Sequence, residues 1–487
     1  MWLQERTKTS PHTLALIYGK VRWSYGELNQ QTNGLMAYLM AQGIRPGERV
    51  AVLLPSSPLY VCLVHALAQM GVVLVPLNGR LTPPELIWQI ESVGCHWLLA
   101  AEKMASVNCP TLIINDQLLE PTSTHTPPPI SQPSSSALQS ILFTSGTSGR
   151  PKAVPLTFDN HFYSAMSSAY RLGLLPHDLW LSCLPLYHVG GLAVLFRSCL
   201  YGTAVDLHAR FDLEAINHSL DTNPITLISV VPTMLYRLLQ QRSQWPASLR
   251  LILLGGAAAD PNLIAQANSL SRWPQFAPMP QPIVAPTYGL TEASSQVATM
   301  LPEMAAKKPG SVGRPLLFTT VQIVNEQGSS CKPNEMGEVV VAGPTVMGGY
   351  LGQAQPASSH SQTGFATGDM GYLDEDGDLW IVQRRSDLIV SGGENVYPAE
   401  VEQVIGGHGA VTAVAVVGVP HPEWGQQVAA AVVTRPQAEL TAEQLITFCR
   451  ERLAGYKIPR QIRFVAELPQ TASGKIARTA VSELFST

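Results

Sequence analysis

Short continuous apolar runs alternate with longer stretches whose apolar residues recur every three or four positions. RVAVLLP (Arg49–Pro55) and VVLVPL (Val72–Leu77) have the length and β-branched content of strands buried on both faces. Pro58–Gln69 between them reads as a buried helix. The most apolar stretch, Tyr60–Leu77, is interrupted by His65 and Gln69, so it predicts a helix followed by a strand rather than a membrane span. SILFT (Ser140–Thr144) predicts a further strand. A helix is predicted from Thr157, with Phe162, Ala165, Ala169 and Leu172 on one apolar face, its start delayed by Pro151 and Pro155. Glu120–Ser136, dense in Pro, Ser and Thr, predicts a surface connection.

Beyond about residue 384 the texture changes. VTAVAVVGVP is strand-like, and IRFVAEL is another strand. Between them Thr441 and Gln444 form a capping box for a helix whose apolar face is Leu445, Phe448, Cys449 and Leu453, ended by Gly455 and Pro459. The alternation predicts an α/β chain, α+β overall. A large N-terminal domain of mixed sheets and helices (1–384) would be followed by a small α+β lid (385–487). No internal repeat is present.

Composition narrows the class. In 487 residues, 46% are hydrophobic and 14% charged, as expected of a globular chain with a large core. The net charge of −4 gives no footprint for nucleic acid. Seven cysteines without a C-x-x-C pair argue against a disulfide framework or zinc site, and for buried thiols in a reducing cytoplasm. Met1–Ser10 carries Glu5, Arg6 and Lys8 and does not read as a signal peptide.

Four stretches carry candidate chemistry. TSGTSGRPK (Thr144–Lys152) combines glycines, which let backbone N–H groups approach an anion, with the hydroxyls of Thr144, Ser145, Thr147 and Ser148 and the cation of Lys152. Its spacing is not that of a Walker A loop, and alone it could be a surface turn. PTYGLTEASS (Pro286–Ser295) offers a flat ring at Tyr288, a hydroxyl at Thr291 and a carboxylate at Glu292 suited to Mg²⁺. Thr363–Glu402 places Asp369 in a predicted tight turn, where it could accept bonds from vicinal hydroxyls. It continues through DEDGD (Asp374–Asp378), read as a hairpin turn rather than a calcium loop, then Arg384–Asp387 and SGGEN. PQTASGKIAR (Pro469–Arg478) sets Lys475 on a Ser-Gly turn.

With GGAAAD (Gly255–Asp260) and GVPHPEWGQ, these motifs in this order resemble the adenylate-forming superfamily of acyl-CoA synthetases, adenylation domains and luciferases, from about residue 140 to 480. The resemblance implies ATP, Mg²⁺ and coenzyme A as reactants and a small carboxylic acid as partner. It implies that Thr144, Ser145, Gly146, Thr147, Ser148, Gly149 and Lys152 hold the β- and γ-phosphates, and that Gly255, Gly256 and Ala257 wall the adenine and acyl pocket. Tyr288 and Gly289 would meet adenine, Thr291 the α-phosphate, Glu292 the Mg²⁺, and Asp369 and Arg384 the ribose. Lys475 would serve adenylation only. The lid would turn about Ser386 and bring Ser391, Gly392 and Gly393 to the pantetheine tunnel. Ala153 and Gln383 stand where the family usually has glycine. A homodimer is compatible with these features.

LPLYHVGGLAVLFRSCLYG (Leu184–Gly202) bears on the acid. His188 marks the pocket entrance in many members of the superfamily. Arg197 lies in an otherwise apolar helix, where a charge is costly unless paired. A second carboxylate on the substrate would pair it, and the stretch resembles that of ligases for a dicarboxylic acid. A structural salt bridge or a snorkelling side chain would also explain it. Another acyl- or aryl-CoA ligase, or an adenylation enzyme loading a separate carrier protein, are the alternatives.

Overall fold

The computed structural model describes residues 2–119, 132–144, 151–257, 259–271, 283–352, 364–383, 388–436, 438–469 and 476–485. The chain forms two compact units. The larger gathers Met1–Leu77, Val93–Leu142 and Ala153–Val382; the smaller gathers Asn78–Ser92, Phe143–Lys152 and Gln383–Thr487.

A nine-stranded sheet runs through the larger unit. Its centre is parallel: Leu251–Leu254 lies between Leu227–Val230 and Val284–Leu290, and Leu179–Ser182 lies between Leu227–Val230 and Ala204–Leu207. Helices Val189–Tyr201, Leu213–Thr222, Pro232–Gln241 and Pro261–Ser269 connect these strands in turn, so the loops after the strands' carboxyl ends collect along one edge. In such sheets that edge is where ligands bind. A six-stranded sheet orders Thr111–Ile113, Trp97–Ala100, Arg49–Leu53, Val73–Pro76, Leu138–Thr144 and Lys152–Thr157, and a four-stranded sheet carries Phe365–Leu373 and Leu379–Gln383. All of helix Pro58–Met70 is buried, as its apolar run predicts. Among the described residues no helix is long and apolar enough to cross a membrane.

Near residue 157 the helix start is as expected, but its buried face is not. The non-helical stretch before the helix is itself a strand, Lys152–Thr157, at the sheet's edge, where Pro155 costs no ladder bond. The helix Phe158–Leu172 does start at Thr157, which caps it reciprocally with Asn160. Its buried face, however, is Phe158, His161, Ser164, Ala165, Ser168 and Leu172, while Phe162 is exposed and Ala169 only half-buried. Within this polar face Ser164 meets the buried Arg197 and His161 meets Ser140.

In the smaller unit Val411–His421 and Gly425–Thr434 form a long hairpin, whose second strand also pairs with Ile389–Ser391 and with Gln461–Phe464. Thr441 and Gln444 form the expected capping box; Leu445, Cys449 and Leu453 are buried and Phe448 half-buried. All seven cysteines are free. Cys62, Cys183, Cys199 and Cys449 are buried, but Cys95, Cys109 and Cys331 are only partly so, against the expectation for the full set.

Candidate functional site

The strand Val284–Leu290 ends in a strained corner. Gly289 is obligatory, since a Cβ there would lie 1.9 Å from the Ser295 carbonyl oxygen. A one-turn helix, Thr291–Ala293, follows, and then Ser294 and Ser295 at φ 55° and 109°. Two consecutive non-glycine residues at positive φ are costly and persist only where the surroundings hold them. Here Ser294 Oγ donates to the Thr345 carbonyl at 2.7 Å, Ser164 Oγ donates to the Ser294 carbonyl at 2.6 Å, and the Met347 amide donates to the Glu292 carbonyl at 2.8 Å. Glu292 is buried, and Tyr350 Oη donates to its Oε1 at 2.7 Å. Thr291 beside it is half-buried.

Tyr288 is buried, and its hydroxyl donates to Asp369 Oδ2 at 2.6 Å. Asp369 does not sit in a tight turn. It lies within the strand Phe365–Leu373, whose register against Gly337–Ala342 shifts between Glu338 and Val340; Gly368, at φ 76°, supplies the irregular backbone just before it. The Asp369 amide donates to Thr367 Oγ1 at 3.1 Å.

Gly255, Gly256 and Ala257 follow the strand Leu251–Leu254, which pairs in parallel with the strand carrying Tyr288. A Cβ on Gly255 would meet Thr287 Cγ2 at 2.7 Å, so this turn approaches the Tyr288 strand as only glycine can. His188 is the N-cap of helix Val189–Tyr201 and packs on Tyr187, ring centroids 4.6 Å apart. At Gly191 a Cβ would fall 2.3 Å from the Pro185 carbonyl oxygen, which fixes the His188 turn against the helix.

Arg197, in that helix, is 2% exposed. Its nearest polar contact is long, Nη2 to Ser164 Oγ at 3.4 Å, and its Nε has no partner among the described residues. The guanidinium lies 6.0 Å from the Trp180 ring centroid. No carboxylate pairs with it among the described residues, and it is too deep to snorkel. Burial pushes its pKa down, opposed by Tyr201. The neighbouring His161 is pushed down to about 3, by burial first and then by the Arg197 charge, so it stays neutral. Through Ser164, Arg197 is two hydrogen bonds from the Ser294 backbone, within the motif that carries Thr291 and Glu292.

In the smaller unit Lys152 begins its strand, half-buried, and Thr144 ends another. Ser391, Gly392 and Gly393 make a hairpin, Ser391 pairing with Glu394 across Gly392 and Gly393 at φ 60° and 85°. This is the two-glycine turn that such a hairpin requires. Ser145, Gly146, Thr147, Ser148, Gly149, Arg384, Ser386 and Lys475 lie outside the described residues. Sequence reasoning missed Ser164, Ser294 and Tyr350, whose roles depend on partners 51 to 130 positions away.

Residues 3–351 match the AMP-binding enzyme family, and residues 400–475 match the AMP-binding enzyme C-terminal domain. A 2-succinylbenzoate–CoA ligase of Bacillus licheniformis is 40% identical over 481 residues, which is 98% of each chain. Among solved structures, a double mutant of o-succinylbenzoate CoA synthetase from Bacillus subtilis bound with its product analogue superposes with a TM-score of 0.91, at 37% identity over 99% of this chain and 98% of that one. The same enzyme in complex with ATP and magnesium ion gives 0.73, at 37% identity over 98% of each chain.

Proposed function

Because the chain belongs to the AMP-binding enzyme family, we propose that it joins o-succinylbenzoate to coenzyme A, forming AMP and pyrophosphate from ATP. The observation that carries the choice of acid is Arg197: a buried cation with no carboxylate partner of its own among the described residues. A dicarboxylic substrate supplies the missing anion. The ring carboxylate of o-succinylbenzoate would pair with Arg197 while the aliphatic carboxylate reacts.

The reaction has two steps. An oxygen of the aliphatic carboxylate attacks the α-phosphorus of ATP, and the bond to pyrophosphate breaks. The thiol sulfur of coenzyme A then attacks the acyl carbon, losing its proton, and AMP leaves with the electron pair. The first step brings two anions together, so fixed positive charge and N–H donors must offset their repulsion. Thr144 through Gly149 and Lys152 are assigned to the β- and γ-phosphates, and Thr291 to the α-phosphate. Gly255, Gly256 and Ala257 leave room for the adenine and acyl groups. Tyr288 and Gly289 would meet adenine, Asp369 and Arg384 the ribose hydroxyls, and His188 would border the acid. Mg²⁺ enters with ATP and neutralises phosphate charge. Glu292 fits it, because a buried carboxylate with one oxygen held by Tyr350 is oriented and keeps lone pairs for a cation.

Residues 385–487 are assigned to the lid, with Ser386 as hinge, Lys475 acting in adenylation, and Ser391, Gly392 and Gly393 lining the thiol's approach. The setting that fits is cytoplasmic, in menaquinone or phylloquinone synthesis, with no nucleic acid partner. Pyrophosphate exchange into ATP tests the reading. Exchange should depend on o-succinylbenzoate and be lost in Lys475→Ala, which should still form thioester from supplied acyl-adenylate. Exchange driven equally by benzoate or octanoate would instead favour a general aryl- or acyl-CoA ligase.

A further inference from the structure

The DEDGD turn holds a cation that belongs to the chain itself. Lys308, just after helix Pro302–Ala305, reaches three aspartates: Asp374 Oδ2 at 2.8 Å, Asp376 Oδ2 at 2.7 Å and Asp378 Oδ2 at 2.6 Å. An ammonium has three N–H donors, and each finds a carboxylate. The side chains of Lys308, Asp374 and Asp378 are 17%, 15% and 6% exposed, while Asp376 stands out at 66%, so the cluster is sheltered on one side and open to solvent on the other. The turn is also braced from within. Asp374 Oδ1 accepts the amides of Asp376 and Asp378, and Trp380 Nε1 donates to Asp374 Oδ2 at 3.1 Å. Burial alone would raise the Asp374 pKa, but these bonds, the Lys308 one foremost, bring it down to about 2.

The clamp lies where two sheets meet. After Lys308 the chain runs along Leu379: Ser311 Oγ and the Val312 amide donate to the Leu379 carbonyl at 2.9 Å, and the Leu379 amide donates to the Gly313 carbonyl at 2.9 Å. The chain then enters Arg314–Pro315, which pairs with Ser295–Thr299, the partner of the strand carrying Tyr288. Asp369 stands five residues before Asp374, on the strand that ends in the clamped turn. Across about 16 Å of strand, Lys308 therefore ties the Asp369 strand to the Tyr288 sheet at one end, and the Tyr288–Asp369 hydrogen bond ties them at the other.

We propose that Lys308 is a positioning residue for nucleotide binding, setting the register in which Asp369 meets Tyr288. This rests on the assignment of Asp369 and Tyr288 to the nucleotide. Lys308 touches no reactant, so its loss should weaken ATP binding while leaving the affinity for the acid alone. An arginine can reach the same carboxylates and should restore it.

The test is calorimetric titration of ATP into the full chain, with the KM of the acid measured alongside. For Lys308→Met the ATP Kd should rise about fivefold, the equivalent of about 1 kcal/mol, with the acid KM within about twofold. Lys308→Arg should recover most of the loss. If Lys308→Met does not fold, Asp376→Asn removes one acceptor and should raise the ATP Kd about twofold. An unchanged ATP Kd in the folded variant, or ATP and acid constants that shift together without arginine rescue, would overturn the proposal. Asp369→Ala in the same titration separates the two levels of the argument: normal ATP binding there would sink the nucleotide assignment, and the positioning role with it.

Discussion

The Tyr288 hydroxyl donates to Asp369 Oδ2 at 2.6 Å and so joins strands of two different sheets, Val284–Leu290 and Phe365–Leu373. A ring able to lie against a base thereby also holds a carboxylate able to take a ribose. Tyr288→Phe keeps the ring and removes the tether. A hydrogen bond to a charged group is worth about 1.5–3 kcal/mol. Part of that should appear as a KM for ATP about tenfold higher, with kcat at saturating ATP within about twofold. Steady-state kinetics at varied ATP checks this.

Arg197 makes a two-sided prediction. A buried charge without a counter-ion among the described residues destabilises the empty protein, so Arg197→Met should leave Tm unchanged or raise it. The same substitution should lower kcat/KM for o-succinylbenzoate about 100-fold, since losing one partner of a buried charged pair costs about 2–5 kcal/mol. Its analogue lacking the ring carboxyl should lose nothing. Thermal unfolding and kinetics on both acids test this. A large fall in Tm with equal losses on both acids would assign Arg197 to structure.

Two buried histidines should make the fold less stable in acid. Burial lowers the His65 pKa to about 4, and burial with the Arg197 charge lowers that of His161 to about 3. The unfolded chain binds these protons near pH 6.5, well before the folded chain does, so stability falls as pH drops from about 6.5 towards 4. The slope approaches about 1.4 kcal/mol per pH unit for each histidine. His65→Leu should flatten part of that slope in denaturant unfolding curves between pH 4 and 7; an unaltered slope would place the sensitivity in other groups.

Lys457, in the smaller unit, is almost fully buried and lies 2.7 Å from both Glu85 Oε1 and Glu400 Oε1. Burial pulls its pKa down, but the two carboxylates outweigh this and the net shift is upward. Lys457→Met would strand both carboxylates, which should cost about 3–5 kcal/mol. Adding Glu400→Gln should return part of it. Urea unfolding of the single and double variants measures both.

What the sequence disclosed was local. The helix start at Thr157, the capping box at Thr441, the paired glycines at Gly392 and Gly393 and the buried strands around Val50 and Val73 depend on near neighbours, and residue types announce them. The corner that carries Tyr288, Thr291 and Glu292 is likewise set by near neighbours. The reading failed where distant partners decide. Phe162 looked like core, yet the helix buries serines, of which Ser164 meets Arg197. The DEDGD turn reads as a hairpin turn, but the cation its aspartates hold, Lys308, is 66 positions from Asp374 and no short pattern announces it. The depth of Arg197 likewise appears only once the helix is packed.

The most direct test of the account is a competition. Wild-type protein, ATP, Mg²⁺ and coenzyme A would be given equal o-succinylbenzoate and its analogue without the ring carboxyl, and the two coenzyme A thioesters separated and weighed by mass spectrometry. The account predicts o-succinylbenzoyl thioester in about 100-fold excess, with AMP formed in equal amount to total thioester. Comparable yields of both thioesters would contradict the pairing of Arg197 with the ring carboxylate, and with it the choice of acid.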